Sequence, residues 1–234
     1  MNKKIIYLII LILLLAGIGF YFYNERKPSQ SEQTSSSALD KILTLEIKRT
    51  DLTQEQIARY QEEFAKDKKI ILTAPDTFNL AAFINVGTIK KIVGDFEGAR
   101  DAWEYASLKS PKNSVSFFNL GLLYAEDLKD NQKAEANYLK CLENSKGESG
   151  NEQYYRGVVY FYTYFYPAQI SEVEKILLAA LQEERYQNSQ DLMALLATYY
   201  QNNGQKEKAI EYWQKILIIN PDNEGAKNEL EELK

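Results

Sequence analysis

Two blocks of the sequence, GDFEGARDAWEYASLKSP at 94–111 and GQKEKAIEYWQKILIINP at 204–221, share the pattern G-x4-A-x3-W-x7-P. The chain has only 2 tryptophans and 5 prolines, so this agreement marks an internal repeat rather than chance. A repeat of this length is a supersecondary unit that cannot bury its apolar face alone. It must stack on its neighbours, which constrains the fold more than any composition does. Pro111 and Pro221 cannot continue a helix and so end their units.

The pattern resembles the tetratricopeptide repeat (TPR), a 34-residue helix–turn–helix of the form W-x2-L-G-x2-Y…A-x3-F…P. The first repeat, about 80–113, supplies Phe83, Val86, Gly87, Ala99, Trp103, Ala106 and Pro111, with Lys90 where the pattern has tyrosine. The second, about 114–148, supplies Phe117, Leu120, Gly121, Tyr124, Ala134, Tyr138 and Cys141, with one extra residue in its internal turn and no final proline. The third, about 150–187, is degenerate. It keeps Gly157 and Tyr160, then adds residues around Pro167 before Val173, Leu177 and Ala180. The fourth, about 190–223, supplies Met193, Leu196, Ala197, Tyr200, Ala209, Trp213 and Pro221. The resemblance implies an all-α fold, a TPR α-solenoid of stacked hairpins.

Packing explains the spacing. Gly87, Gly121, Gly157 and Ala197 lack bulk where the first helix of a hairpin meets the second, and Ala99, Ala134 and Ala209 are the small partners on the second helix. Close approach there is expected to let Trp103, Tyr138, Leu177 and Trp213 fill the gap to the next hairpin.

The flanks extend this scheme. Thr53-x-x-Gln56 reads as a capping box opening a helix with Ile57, Tyr60, Phe64 and Ile71 at helical spacing. That helix stops before Pro75 and is expected to cover the outer face of the first repeat. Residues 38–51 fit a strand or a short helix. Ser171-x-x-Glu174 reads as a second capping box, and Asp222 as the cap of a polar-backed last helix, the kind of end a solenoid needs to stay soluble. The domain reading is an anchor at 1–27, a linker at 28–37, a capping helical segment at 38–79, the TPR body at 80–223 and a capping helix at 224–234.

The anchor rests on Ile5 to Tyr23, 19 uncharged residues (IIYLIILILLLAGIGFYFY). As a helix they span roughly 28 Å, close to the hydrocarbon core. Phe20 to Tyr23 are amphipathic rings suited to the interface. Lys3 and Lys4 precede the run; Glu25, Arg26 and Lys27 follow it. The positive-inside bias predicts a single-pass membrane protein with its amino terminus cytoplasmic and the body extracytoplasmic, as in a bacterial envelope. The competing reading is a cleaved secretory signal, with Gly17-Ile18-Gly19 as a small-x-small site. Pro28 to Ser37 (PSQSEQTSSS) has no apolar residue and reads as a flexible tether of about 18 Å.

Composition removes most chemistry. The chain has no histidine and one cysteine, Cys141, so His-dependent triads, His-bound metals, disulfides and CxxC pairs cannot form within it. No GxxxxGK[ST] or GxGxxG loop is present. No enzyme activity, cofactor or metal is expected. The net charge is −5 overall and −8 beyond residue 27, which disfavours nucleic acid as a partner.

The resemblance implies that a peptide or helix lies in the groove lined by the first helix of each hairpin. By position that groove would present Ile84, Asn85, Thr88 and Lys91, then Phe118, Asn119, Leu122 and Glu126. Tyr154, Val158, Phe161 and Tyr162 would come from the third repeat, and Ala194, Thr198 and Gln201 from the fourth. Asn85 and Asn119 occupy equivalent places, and a side-chain amide can clamp an extended backbone without reading its sequence. Ile84 and Thr88 stand where chaperone-tail receptors of the family hold a carboxylate, so that clamp is absent. The predicted function is a membrane-tethered scaffold for protein–protein interaction. The alternative is a self-associating or lateral assembly subunit using the aromatic run YYRGVVYFYTYFY at 154–166, since tyrosine favours interfaces.

Overall fold

The computed structural model describes residues 38–74, 77–146 and 150–234. The predicted membrane segment at 5–23 and the tether at 28–37 lie outside the described residues. Among the described residues no helix is long and apolar enough to cross a membrane. The chain divides at Leu45/Glu46 into two units. Of the first, residues 38–42 are helical, with the Leu43 N–H donating to the Leu39 carbonyl at 2.9 Å.

The second unit is all-helical among its described residues. It runs α1 (Gln54–Thr73), α2 (Leu80–Ile92), α3 (Phe96–Lys109), α4 (Val115–Glu126), α5 (Asn131–Asn144), α6 (Glu152–Tyr164), a 3-10 turn (Pro167–Gln169), α7 (Glu172–Leu181), α8 (Gln190–Asn202), α9 (Lys206–Ile219) and α10 (Glu224–Glu232). The pairs α2/α3, α4/α5, α6/α7 and α8/α9 are the four hairpins, and each packs on the next as a TPR-like solenoid.

Local chemistry sets the ends. The Thr53 hydroxyl accepts from the Gln56 N–H at 3.2 Å, and the Gln56 side chain accepts from the Thr53 N–H at 2.8 Å, a complete capping box. Asn79, Asp95, Asp130 and Ser189 cap α2, α3, α5 and α8 through the N–H of Ala82, Gly98, Lys133 and Leu192. Two expected caps differ. Ser171 makes no capping hydrogen bond, because it already sits in helical backbone and follows directly on the 3-10 turn opened by Pro167. The last helix is capped by Asn223, not Asp222, with the Asn223 side chain accepting from the Ala226 N–H at 3.0 Å. Helix α1 packs along α2 on the Asn85/Thr88 side, rather than covering the outer face.

The turn inside a hairpin needs a left-handed residue directly before the second helix's cap. Gly94 (φ 85°) and Gly204 (φ 70°) supply it in the first and fourth repeats. In the second, the extra residue puts Lys129 there at φ 57°. A lysine pays about 1 kcal/mol or more for that conformation. Lys129→Gly is therefore expected to stabilise the fold by about 1 kcal/mol, read as a rise of a few degrees in thermal melting. No rise would mean that the Lys129 ammonium, 5.8 Å from the Phe165 ring centroid, contributes as much as the backbone strain costs.

Small residues act as seats. A Cβ on Gly87 would lie 2.6 Å from Trp103 Cε2, and one on Gly121 would lie 2.9 Å from the Tyr138 ring. Trp103 thus lies on the first helix of its own hairpin, its indole N–H donating to the Ile84 carbonyl at 3.1 Å, and it shares one buried core with Leu120, Leu123 and Tyr124 of the next. Ala99, Ala134 and Ala209 are fully buried. Gly157 differs: it seats Phe118 of the preceding hairpin, not Leu177 of its own, which is how the degenerate repeat still stacks.

Successive hairpins are also joined by phenol–carboxylate hydrogen bonds. Tyr124 donates to Glu104 at 2.8 Å, Tyr162 to Glu135 at 2.8 Å and Tyr200 to Glu174 at 2.9 Å. In the third repeat this role falls to Tyr162 rather than to Tyr160, the expected pattern residue. Burial and then the facing carboxylate push all three phenols well above the usual tyrosine range.

Candidate partner-binding site

The face formed by the first helix of each hairpin carries two clefts. One, of about 490 Å³, lies between α1 and α2 and is lined by Glu63, Lys66, Asp67, Ile70, Asn85, Thr88, Ile89 and Ile92. Asn85 donates to Asp67 there at 3.5 Å, and burial raises the Asp67 pKa above the ordinary carboxylate value. The other, of about 410 Å³, lies between α6 and α8. Tyr160, Tyr164, Val159, Ile170, Leu195 and Tyr199 form its apolar wall, with Arg156, Thr163, Thr198, Asn202 and Asn203 as its polar groups.

The second cleft presents two unusually open rings. Tyr160 is 44% and Tyr164 68% exposed, and their ring centroids are 4.8 Å apart. Tyr160 also meets the edge of Phe165 at 5.6 Å. Helical period explains why. In α6, Tyr154, Tyr155, Val158, Phe161 and Tyr162 recur on one side and are buried, while Arg156, Tyr160, Thr163 and Tyr164 fall on the other and are exposed. Arg156 reaches Asp191 of α8 at 3.4 Å, an exposed pair spanning the cleft mouth that costs little to break.

The expected groove residues divide. Asn85 and Thr88 are exposed and line the α1/α2 cleft, with Ile84 half-buried beside them. Lys91 is engaged by Glu126 at 2.8 Å and Asp127 at 3.4 Å, a bridge between α2 and α4. Asn119 and Leu122 are half-buried. Tyr154, Val158, Phe161 and Tyr162 are buried and so do not line a groove. Phe118 packs on Tyr138 at 5.8 Å and Tyr154 at 5.1 Å, inside the interface between hairpins. Aligning the third repeat on Gly157 places Tyr154, Val158, Phe161 and Tyr162 in the groove, whereas α6 is turned so that Gly157 faces Phe118. Thr198 alone of the fourth repeat's expected residues lines the α6/α8 cleft. Sequence reading missed Tyr160 and Tyr164 as a pair; their four-residue spacing, offset from Val158 and Phe161, was the available signal.

Residues 114–147 and 190–223 each match the tetratricopeptide-repeat family model. These two segments are tetratricopeptide repeats. The repeats form a scaffold suited to protein–protein interaction, and such scaffolds are generally non-enzymatic. No curated protein matches the chain. Among solved structures, YrrB, described as a TPR protein with an unusual peptide-binding site, is similar at 16% identity with a TM-score of 0.50, over 76% of this chain and 86% of that one. PilF of Pseudomonas aeruginosa is similar at 20% identity with a TM-score of 0.47, over 66% of this chain and 67% of that one. The YrrB likeness is one of fold.

Proposed function

We propose that the chain is a membrane-tethered, extracytoplasmic scaffold that docks a segment of another protein in the α6/α8 cleft. The observation carrying the reading is the exposed Tyr160/Tyr164 pair on an apolar wall with amide and hydroxyl groups at its rim. Tyrosine offers large contact area at low entropic cost, and amides at the rim can meet a peptide backbone. Such a cleft suits an apolar or amphipathic segment, held reversibly and without bond chemistry. The tether is supported by the uncharged run at 5–23 and the polar stretch at 28–37. YrrB, with its peptide-binding site, shares the repeat architecture that such docking would use.

The test uses the full-length chain in its native membrane, with a photoreactive residue in place of Tyr164 and, as a control, in place of Leu108, which is 76% exposed on α3. One protein species is expected to attach at 164 and not at 108. Tyr160→Ser should reduce its yield roughly tenfold, as for an anchor residue. The same products from both positions, or a yield indifferent to Tyr160→Ser, would overturn the cleft as the docking site.

A further inference from the structure

Helix α10 carries a charge pattern that the docking cleft does not use. Glu224, Lys227 and Glu231 are spaced three and four residues apart on one face of α10, and Lys234, three residues on, follows the helix end at Glu232. The packed side of α10 lies about a third of a turn round from these charges, where Ala226 is buried with Leu233 against Met193, Trp213 and Ile216. The charged face is open: Glu224, Glu231 and Lys234 are exposed, and the Lys227 side chain is 40% exposed while it pairs with Glu224 at 2.7 Å. Beside it a cleft of about 370 Å³ lies between α9 and α10, with Ile210, Leu217 and Leu230 as its apolar lining.

The signs have a definite symmetry. Lys227 and Glu231 are equally far from residue 229, and so are Glu224 and Lys234. In an antiparallel helix pair, positions equidistant from the crossing point face each other. A second α10 laid antiparallel and centred at 229 therefore sets each lysine of one copy against a glutamate of the other, four opposite-sign pairs in all. A parallel pairing sets like against like. This is the self-complementarity that a two-fold interface demands, since the same patch must serve both partners.

We infer that this face is an interface with a second copy of the same chain, α10 packing antiparallel on α10 about a two-fold axis. Exposed ion pairs contribute little affinity but fix orientation and register, so the charges select the arrangement and the apolar cleft beside them supplies the contact. The inference is independent of the α6/α8 cleft.

The test measures the protein mass of the full-length chain in detergent by light scattering. The unaltered chain is expected at twice the monomer mass. Lys227→Glu with Lys234→Glu, and separately Glu224→Lys with Glu231→Lys, should each raise the dissociation constant at least about tenfold, because every cross-pair becomes like-charged. Mixing the two altered chains should restore the doubled mass, and so should carrying all four reversals in one chain. Far-UV circular dichroism checks that each variant keeps its helices. A monomeric unaltered chain, a dimer indifferent to either reversal, or a mixture that stays monomeric would overturn the assignment. A dimer held elsewhere, by the 5–23 segment or the aromatic run, would give the second of these.

Discussion

Asp95→Ala is expected to cost about 3–5 kcal/mol, as when one partner is removed from a buried ion pair. Asp95 is 4% exposed and does three jobs at once. It caps α3 through the Gly98 N–H at 3.3 Å, and it accepts from Lys90 at 2.8 Å and from Lys48 at 2.7 Å. Lys90 is 1% exposed, so without Asp95 its charge is left in the interior without its carboxylate. The strap 46–51 loosens too, since Lys48 holds it to the turn where the Lys48 and Arg49 N–H groups both donate to the Val93 carbonyl at 2.9 Å. For a domain of this size the melting temperature should fall by about 10 °C. Lys90→Met should cost far less, because Asp95 keeps Lys48 and the cap. Equal losses from the two substitutions would show that the pair acts only by packing.

The same carboxylate fixes an acid limit. Burial alone would raise the Asp95 pKa, but the hydrogen bonds from Lys48 and Lys90 outweigh it and hold the group below its ordinary 3.8. A depressed carboxylate contributes its full stability above the unfolded value and loses it as pH falls through the folded one. The stability gap between the unaltered chain and Asp95→Ala should therefore be constant at neutral pH and narrow below about pH 4, where urea titrations can follow it. A gap that stays wide at lower pH would contradict the charge argument.

Gly87→Ala is the second large effect, because it inverts a general rule. Glycine to alanine inside a helix normally gains up to about 1 kcal/mol. Here the new methyl would lie 2.6 and 2.7 Å from Trp103 Cε2 and Cδ1, so the buried indole must move and the substitution should cost about 1–3 kcal/mol. Trp103→Ala should cost about 3–5 kcal/mol by leaving a cavity over Gly87. In a Trp103→Leu background, Gly87→Ala should become neutral or favourable. A double-mutant cycle by chemical denaturation reads that coupling directly. Additive costs would mean that the glycine serves the backbone and not the indole.

The repeat frame was legible because it is written in scarce residues. Gly94, Trp103 and Pro111 recur in order at 204, 213 and 221, and each has a physical reason independent of its neighbours: a left-handed turn, a large ring needing a seat, a helix end. The α6/α8 cleft was not legible, although its residues stood in plain view. Eight aromatics in 154–166 made every face of α6 look apolar, and the pattern aligned Gly157 as a seat for its own hairpin. The insertion around Pro167 delays α7, Phe118 takes the seat at Gly157, and the helix turns accordingly. That rotation buries Phe161 and Tyr162 and leaves Tyr160 and Tyr164 outside.

The amino-acid order by itself determined how many hairpins there are, where they break and, in the first two, which glycine meets which large ring, because these follow from local backbone preference and from side-chain volume at fixed helical spacing. Only the tertiary structure decided which side of α6 faces solvent, which residue carries the phenol–carboxylate bond in the third repeat, and that Lys90 finds Asp95 and, through it, Lys48. Those outcomes depend on how neighbouring hairpins settle against one another, a balance among contacts distant in sequence that no local pattern encodes.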